Sequence, residues 1–310
     1  MFIFKSEISI TSQYFLIGSF SKVPKASDNS VGIMTTEGSR DLAFDEYLDI
    51  IKSFNVDSAV SFSDEVPITI GKRRGKQSIA RSKAWLQQQL ERSDKKSRII
   101  ANIQATDNME LLQEQISLVN EHSDELFGVN ISGLHLGESP QQREKILSAI
   151  YSSIPAVLVR FVTGPNSPRE VLDSIRLGTD IAVCSYPVTL AEKAYASLYE
   201  PFSILYLRRF SNESIFCNEQ ENIQQETKMN LLDNVYKDDK SLLVEGCDCY
   251  ACKRFTKGYI HHLFNCHEML GVILLTQHNM HHFLKFLQSV RQMIREGRLD
   301  EAISHKEGDN

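Results

Sequence analysis

Residues 98–132 read RIIANIQATDNMELLQEQISLVNEHSDELFGVNIS, and this stretch decides the fold class of the chain. Its two ends, RIIANIQ and LFGVNIS, are short, apolar and rich in β-branched residues, which is typical of buried strands. Between them, residues 108–120 place apolar side chains at helical spacing. A strand, a helix and a second strand in this order predict one right-handed βαβ unit.

The same unit repeats along the chain. Further strands are predicted over 57–62, 156–162 and 180–186, and further helices over 43–54, 76–92, 139–151 and 168–177. The starts of the five strands are 41, 28, 30 and 24 residues apart, which suits a series of βα units. Such a series predicts a parallel sheet, either doubly wound or closed as a barrel, and periodicity does not choose between the two.

Composition narrows the class of protein. The chain has 310 residues, of which 42% are hydrophobic and 24% charged, as in globular domains. Its net charge of −6 argues against a surface that grips nucleic acid over its whole extent, although a local basic patch stays open. No apolar run approaches the roughly 20 residues that span a bilayer, and the start lacks the layout of a signal peptide. The expected location is the cytoplasm.

The chain divides into four predicted segments. Residues 1–30 form a divergent N-terminal segment, and residues 31–210 hold the βα units. Residues 211–240 are rich in Asn, Gln and Glu and predict an exposed polar insertion. Residues 241–310 should contain a helix over 253–269, a strand over 271–276 and a final helix to about 296.

The sequence GCDCYAC at 246–252 places Cys247, Cys249 and Cys252 within six residues. Six cysteines in a chain of this length are too few for a disulfide scaffold, and their crowding favours a metal site. Thiolates are soft ligands that suit zinc. The alternative is three buried or redox-active thiols without metal.

A fourth ligand must come from elsewhere in the chain. A helix over 253–269 would rise about 25 Å, and an extended strand from Gly271 would return about 23 Å, which brings His278 level with the cysteines. The other nearby histidines are less well placed on this geometry: His261, His262, His267, His281 and His282. Four protein ligands leave no open position, so the expected cofactor is one structural Zn²⁺.

The stretch CDCYACKRFTKGYIHHLF…EMLGVILLTQHNMHHF resembles the zinc-binding region of the tRNA-guanine (queuine) transglycosylases, in which C-x-C-x-x-C is followed by a histidine 26 residues on. The resemblance covers about residues 31–296. It implies a (β/α)₈ TIM-type barrel, here N-terminally shortened, with a C-terminal zinc-binding subdomain whose ligands are three cysteines and one histidine. The other segments that carry it are DSAVSFSDEVP (57–67), RSKAWL (81–86), GVNISGLHLGE (128–138) and RFVTGPNSPREVLDSIRLGTDI (160–181).

The chain departs from the family where the chemistry would take place. Active members carry an aspartate nucleophile in a motif of the form Asp-Cys-x-x-Pro-Thr-Arg, and here Val183 stands at the nucleophile position before Cys184. An isopropyl group cannot attack a sugar carbon. Asp180 is a conceivable displaced nucleophile, but it should point to the opposite side of the strand. Cys184 is expected to be a buried strand cysteine.

We therefore expect no catalytic residue in this chain. The resemblance implies a non-catalytic subunit that forms a heterodimer with a catalytic transglycosylase and meets tRNA through the complex, with no DNA partner and no transmembrane segment. It also leaves open a peripheral association with the mitochondrial outer membrane. Two alternatives remain: a self-sufficient transglycosylase with a displaced carboxylate, and a queuine-binding or salvage protein.

Remnants of a base pocket are the last candidates. By resemblance, Asp64 corresponds to a base-binding aspartate, and the loop with Gly133, Leu134, Gly137 and Glu138 to the loop that recognises the purine. The alternatives are an aspartate that caps a turn and a βα turn kept for packing. The basic run KRRGK at 72–76 either contacts tRNA phosphates or a partner, or is a solvated loop.

Overall fold

The computed structural model describes residues 25–35, 38–93, 96–198 and 228–299. They form two compact units. The first runs to Pro165 and includes Leu177–Cys184, and the second comprises Asn166–Arg176 and the chain from Ser185 onward. The predictions for residues 1–24 and 211–227 lie outside the described residues.

A five-stranded parallel sheet forms the centre of the first unit. Its strands follow one another in chain order and confirm the predicted βα series. They are β3 (Ser58–Val60), β4 (Arg98–Gln104), β5 (Leu126–Ser132), β6 (Val159–Thr163) and β7 (Ile181–Val183). Strand β6 begins three residues later than predicted because Val157 is 82% exposed and precedes the sheet.

The predicted helices between the strands are also present, with shifts of a few residues. They are α1 (Phe44–Phe54), α2 (Lys72–Glu91), α3 (Met109–Glu121), α4 (Pro140–Tyr151) and, in the second unit, α5 (Pro168–Arg176). Helix α3 begins where the Asn108 side chain accepts hydrogen bonds from the first free backbone amides. Helix α4 begins in the same way at Ser139, followed by Pro140 in the first turn.

The two faces of the sheet differ in chemistry. On one face Ile99, Ala101 and Ile103 of β4 belong to a large buried cluster with apolar residues of α3 and α4. On the other face the amino-terminal part of the sheet is apolar and includes Ile100 and Phe161. The carboxyl ends of β4, β5 and β6 are polar on that second face. This polar edge is where active sites of parallel α/β barrels lie.

An antiparallel hairpin precedes the sheet and was not predicted. It consists of β1 (Ser30–Thr35) and β2 (Gly38–Ala43). The buried side chain of Trp85 in α2 donates a hydrogen bond from Nε1 to Asp28 O at 2.8 Å, just before the hairpin. Ser39, Arg40 and Asp41 occupy the middle of β2, so the sequence lacked the apolar alternation that predicts a strand.

The described part of the second unit is mainly helical and contains one small sheet. Strands β8 (Tyr195–Ser197) and β9 (Lys228–Asn230) pair antiparallel, and Leu231 after β9 is fully buried, so the exposed stretch predicted over 211–240 does not extend through these residues. The predicted helix over 253–269 is two helices interrupted near Thr256. After the parallel sheet, the described residues form the helices α6 (Tyr186–Glu192), α7 (Tyr250–Arg254), α8 (Lys257–Asn265) and α9 (Met269–Arg295).

The predicted strand over 271–276 is wrong, and so is the expectation of a last barrel strand within the described part of 241–310. GVILLT lies inside α9, whose buried positions recur at spacings of three and four residues. A six-residue apolar run does not by itself distinguish a strand from a buried helix. Although α9 has 27 residues, neither it nor another helix in the described ranges is long and apolar enough to cross a membrane.

Candidate functional site

Three cysteines and one histidine meet in the second unit, and we call them the Cys₃His cluster: Cys247, Cys249, Cys252 and His278. Gly246 has a φ of +75°, which turns the chain just before Cys247. Cys249 is the N-cap of α7, where its Sγ accepts the backbone N–H of Cys252 at 3.4 Å. Helix α9 supplies His278, so the predicted residue is reached by a helix rather than by a strand.

The donor atoms of the Cys₃His cluster all lie within 4.8 Å of one another and could hold one metal ion. His278 Nδ1 is 3.9, 3.5 and 3.3 Å from the sulfurs of Cys247, Cys249 and Cys252. On the other side of the ring, Nε2 lies 2.8 Å from Ser197 O. Because a carbonyl oxygen only accepts, Nε2 carries a proton, and Nδ1 is the ring nitrogen that faces the three sulfurs.

Asn279 holds the strand that orients this imidazole. Its Oδ1 accepts the backbone N–H of Ser197 at 2.8 Å, and its Nδ2 donates to Tyr195 O at 2.9 Å and to Pro187 O at 3.2 Å. All of these groups are in the second unit. Sequence reasoning missed Asn279, and the signal was a polar residue on the buried face of a helix.

The environment of the cluster suits a cation. Hydrogen bonds from the thiols of Cys247 and Cys252 lower the pKa of Cys249. Burial, followed by the neighbouring His278, lowers the pKa of His282 to about 3, and its ring lies 4.3 Å from that of His278. His282 is therefore neutral at physiological pH and adds no charge beside the cluster.

The other histidines have different surroundings. His261 Nδ1 lies 2.8 Å from Leu231 O, and His281 Nε2 lies 2.8 Å from the carboxylate of Asp248. His262 and His267 are exposed. Among the described residues, the Cys₃His cluster is the group with suitable metal-ligating atoms, and none of these four histidines belongs to it.

A chain of buried polar side chains crosses the carboxyl end of the parallel sheet. Thr163 Oγ1 donates to Asn130 Oδ1 at 2.8 Å, and Asn130 Nδ2 donates to Asn102 Oδ1 at 2.7 Å. Asn102 Nδ2 in turn donates to Ser132 Oγ at 2.9 Å. Sequence reasoning missed this network, and the signal was polar residues at alternate positions of the strands RIIANIQ and LFGVNIS.

Val183 lies at the same edge. It is the last residue of β7 and pairs in register with Thr163, the end of the polar network. A residue in register on the neighbouring strand projects to the same face, so Val183 adds an aliphatic side chain beside the network. Asp180, the alternative carboxylate, lies before the other end of β7, where its Oδ2 accepts the Arg160 backbone N–H at 2.8 Å. Cys184 follows β7 and is half-buried.

Two arginines of α2 hold Asp64. The Asp64 side chain is 2% exposed and lies in the loop after β3. Arg74 Nη1 and Nη2 donate to its two oxygens, each at 2.6 Å, and Arg81 Nη1 donates to Oδ2 at 3.2 Å. Arg74 belongs to the KRRGK run, so this run starts α2 and is not a solvated loop.

Glu138 is held in a comparable way. Arg143 Nε donates to its Oε1 at 2.7 Å, and the backbone N–H groups of His135 and Leu136 donate at 2.6 and 3.0 Å. Burial alone would raise the pKa of Glu138, but these hydrogen bonds outweigh it and lower that pKa. Both acidic pocket candidates thus face arginines from the helix that follows them.

The loop around Gly133 closes over the strand ends. Gly133 has a φ of +82°, and Ile68 N–H donates to its carbonyl oxygen at 2.9 Å. Gly137 has a φ of +110° and lies close to Thr69, while Leu134 is buried. The structure thus brings the loop of Asp64 and the loop of Gly133–Glu138 into contact.

We expect the substitution Gly133→Ala to destabilise the protein by about 3 kcal/mol. An added Cβ would lie 2.1 Å from Gln104 Nε2 and 2.5 Å from Val66 O, at a φ that alanine disfavours. Gly137→Ala is the matched control: its φ is also positive, but its Cβ would meet only Thr69 at 3.9 Å, so about 1 kcal/mol is expected. Equal unfolding midpoints for the two variants in urea would contradict the packing argument.

Comparison with known proteins gives a single family. The family model described as queuine tRNA-ribosyltransferase matches residues 1–308. The chain is 27% identical over 292 residues to the queuine tRNA-ribosyltransferase accessory subunit 2 of Anopheles gambiae, covering 90% of this chain and 64% of that protein. The accessory subunit 2 of Gallus gallus is 24% identical over 298 residues, covering 89% of this chain and 70% of its own length.

A bacterial relative has a different name. The queuine tRNA-ribosyltransferase of Helicobacter pylori is 29% identical over 255 residues, which cover 81% of this chain and 61% of the bacterial protein. The chain spans less than two thirds of the length of the Anopheles and Helicobacter proteins.

Proposed function

The chain belongs to the queuine tRNA-ribosyltransferase family, and we propose that it is a non-catalytic subunit of that activity. In this proposal it forms a heterodimer with a catalytic subunit, and the pair exchanges guanine for queuine at the wobble position of tRNAs with GUN anticodons. The names of the insect and bird relatives support an accessory role. The proposed location is the cytoplasm.

The observation that carries the proposal is Val183 at the carboxyl end of β7. Base exchange through a covalent intermediate needs a nucleophile at the sugar carbon, and a carboxylate is the group that supplies it in this family's motif. We propose that Val183 stands at that position and that this chain therefore contributes no nucleophile. The engagement of Asp180 with the Arg160 backbone supports the same conclusion, because that carboxylate is committed at the opposite end of the strand.

An exchange assay tests this proposal. Purified chain alone, given tRNA and labelled guanine, should incorporate no label above background, and addition of the catalytic subunit should restore incorporation by at least about three orders of magnitude. Asp180→Asn in this chain should leave the activity of the pair unchanged. Robust exchange by the chain alone, lost in Asp180→Asn, would overturn the proposal and favour the self-sufficient enzyme.

We also propose that the Cys₃His cluster binds one structural Zn²⁺. Zn–S bonds of about 2.3 Å and a Zn–N bond of about 2.0 Å at tetrahedral angles separate the donor atoms by about 3.5 to 3.8 Å. The observed separations of 3.3 to 3.9 Å between His278 Nδ1 and the sulfurs fit this requirement. With four protein ligands the ion would have no open position for a water or substrate.

The sheet is proposed to be part of a (β/α)₈ barrel. Five adjacent parallel strands in chain order, with the polar residues at their carboxyl ends on one face, support this. An experimental structure of the heterodimer would test it directly, because an open edge at β3 or β7 would contradict closure.

A further inference from the structure

We propose that Arg74 is an internal ligand of Asp64 and keeps this chain from binding the purine base itself. The inference rests on the proposed function and on the family resemblance, which implies that Asp64 takes the position of a base-binding carboxylate. It goes further in two respects: it names Arg74 as the group that occupies this carboxylate, and it names the class of ligand that Arg74 excludes. These ligands are planar rings that carry an amino group beside a ring N–H, as guanine does.

The contact has the geometry of a built site. The Arg74 fork and the Asp64 carboxylate form two bonds of 2.6 Å, one to each oxygen, and the carboxylate is 98% removed from solvent. Paired bonds of this kind are the strongest and most orientation-specific that a carboxylate makes. Arg81 adds one bond to Oδ2, so the two arginines together supply three donors.

Helix α2 is shaped around this residue. Arg74, Ser78, Arg81 and Ser82 follow one another at spacings of four, three and one residues, which places them on one face of the helix. Each of them forms a hydrogen bond with Asp64. The two arginines donate to the Asp64 carboxylate, and the Ser78 hydroxyl donates to the Asp64 backbone oxygen. Ser82 Oγ accepts the Asp64 backbone N–H at 3.0 Å. An aspartate that only capped a turn would not need four partners on a neighbouring helix.

Arg74 and guanine present the same pattern of hydrogen-bond donors to a carboxylate. A guanidinium group presents two parallel N–H donors in a plane, and guanine presents the same pair through N1–H and its exocyclic amino group. Both need the two oxygens of one carboxylate, so Arg74 and a guanine edge exclude each other. The apparent affinity for the base is therefore proportional to the fraction of molecules in which Arg74 has left the Asp64 carboxylate.

Removal of Arg74 should therefore create a binding site. We expect Arg74→Ala to bind guanine with a Kd at least about tenfold below that of the wild type by calorimetry. Arg81 still neutralises Asp64 in this variant, so the fold should persist. Methylguanidine, which replaces the lost group, should raise the unfolding temperature of Arg74→Ala and leave the wild type unchanged.

Two further variants make the result specific. Arg73→Ala removes the neighbouring exposed charge of the same basic run and should behave like the wild type. Asp64→Asn combined with Arg74→Ala should abolish both ligand effects. Guanine binding to the wild type as tightly as to Arg74→Ala would overturn the proposal, and so would a folded Arg74→Ala that responds to neither ligand.

A folding failure is also informative. Should Arg74→Ala not accumulate as folded protein, refolding with methylguanidine should recover it, and a lack of recovery would count against an exchangeable ligand at Asp64. These measurements need no catalytic subunit and no tRNA. A failure of the heterodimer proposal, seen in the exchange assay, is therefore distinguishable from a failure of this one.

Discussion

Cys252→Ala should lose the bound metal and unfold the second unit. Cys252 is fully buried in α7, and its sulfur is the closest of the three to His278 Nδ1, at 3.3 Å. Structural zinc contributes on the order of 10 kcal/mol to small domains that depend on it. Loss of one thiolate should cost about 5 kcal/mol or more, which is comparable to the whole stability of a domain.

Two measurements check this expectation. Metal analysis of the purified protein should give one zinc per wild-type chain and much less than one for Cys252→Ala. Hydrogen exchange should show lost protection in α7 and in the part of α9 around His278, while the strands of the first unit keep theirs. Cys266→Ala is the matched control, because Cys266 is exposed and outside the Cys₃His cluster.

Two results would contradict the proposed metal site. Wild-type protein that purifies without metal and keeps full protection in α9 would show that buried thiols and a histidine hold this unit by packing alone. Full zinc occupancy in Cys252→Ala would show that the ion, if bound, uses other ligands.

The sequence was a good guide wherever one residue pattern has one structural meaning. Strands β4 and β5 have the predicted bounds because apolar β-branched runs of seven residues were flanked by polar turns. The parallel direction of the strands followed from the helix between each pair of strands. The Cys₃His cluster followed from cysteine spacing, because three thiols within six residues have few other uses in a protein of this class.

The same reasoning failed where tertiary contacts decide. GVILLT is apolar throughout, and only the buried stripe that extends from Gly271 through Val290 shows that it belongs to a long helix. Gly271 lets α9 approach α8 closely there, because an added Cβ would lie 3.3 Å from the side chains of Leu263 and Phe264. The strand path that leads to His278 is wrong, because this residue lies on helix α9, whereas its separation from Cys252 agrees with the family pattern.

Pairing between polar side chains that are distant in sequence was likewise not predictable from the sequence. Arg74 looked like part of a basic run, and nothing in KRRGK indicates which of its cations turns inward. Its partner Asp64 is ten residues away in sequence, across a loop whose course depends on Gln104 and its bonds to both backbone groups of Val66. Such networks are specified by the packed structure and have no short sequence signature.

The last expectation concerns Glu65, the residue after Asp64. Burial, and then the neighbouring charge of Asp64, raises the pKa of Glu65 to about 8. The residue is 4% exposed, and its side chain accepts a hydrogen bond from the Ser63 hydroxyl at 3.3 Å. The native protein therefore holds a proton on Glu65 at neutral pH, whereas the unfolded chain releases it above an ordinary carboxylate pKa of about 4.5.

The sign of the pH dependence follows from this difference. Between about pH 4.5 and 8 the native state binds one more proton than the unfolded state, so the stability from this group falls as the pH rises. The stability that this group contributes is complete at pH values below the pKa of Glu65 in the unfolded chain. It is lost as the pH rises through the pKa of Glu65 in the native protein. The slope approaches about 1.4 kcal/mol per pH unit, and the total over this range is on the order of 5 kcal/mol.

Glu65→Gln should remove this dependence, because the amide is neutral at every pH and has nearly the same shape as the protonated acid. Relative to the wild type, the variant should gain unfolding free energy steadily from pH 5 to 8 in urea titrations. The other titratable groups are shared by both proteins, so their contributions cancel in the difference. Glu114→Gln is the control: Glu114 is exposed and its Lys83 hydrogen bond lowers its pKa, so its difference from the wild type should stay flat above pH 5. A flat difference for Glu65→Gln would show that Glu65 is ionised in the native protein, and that water reaches its carboxylate.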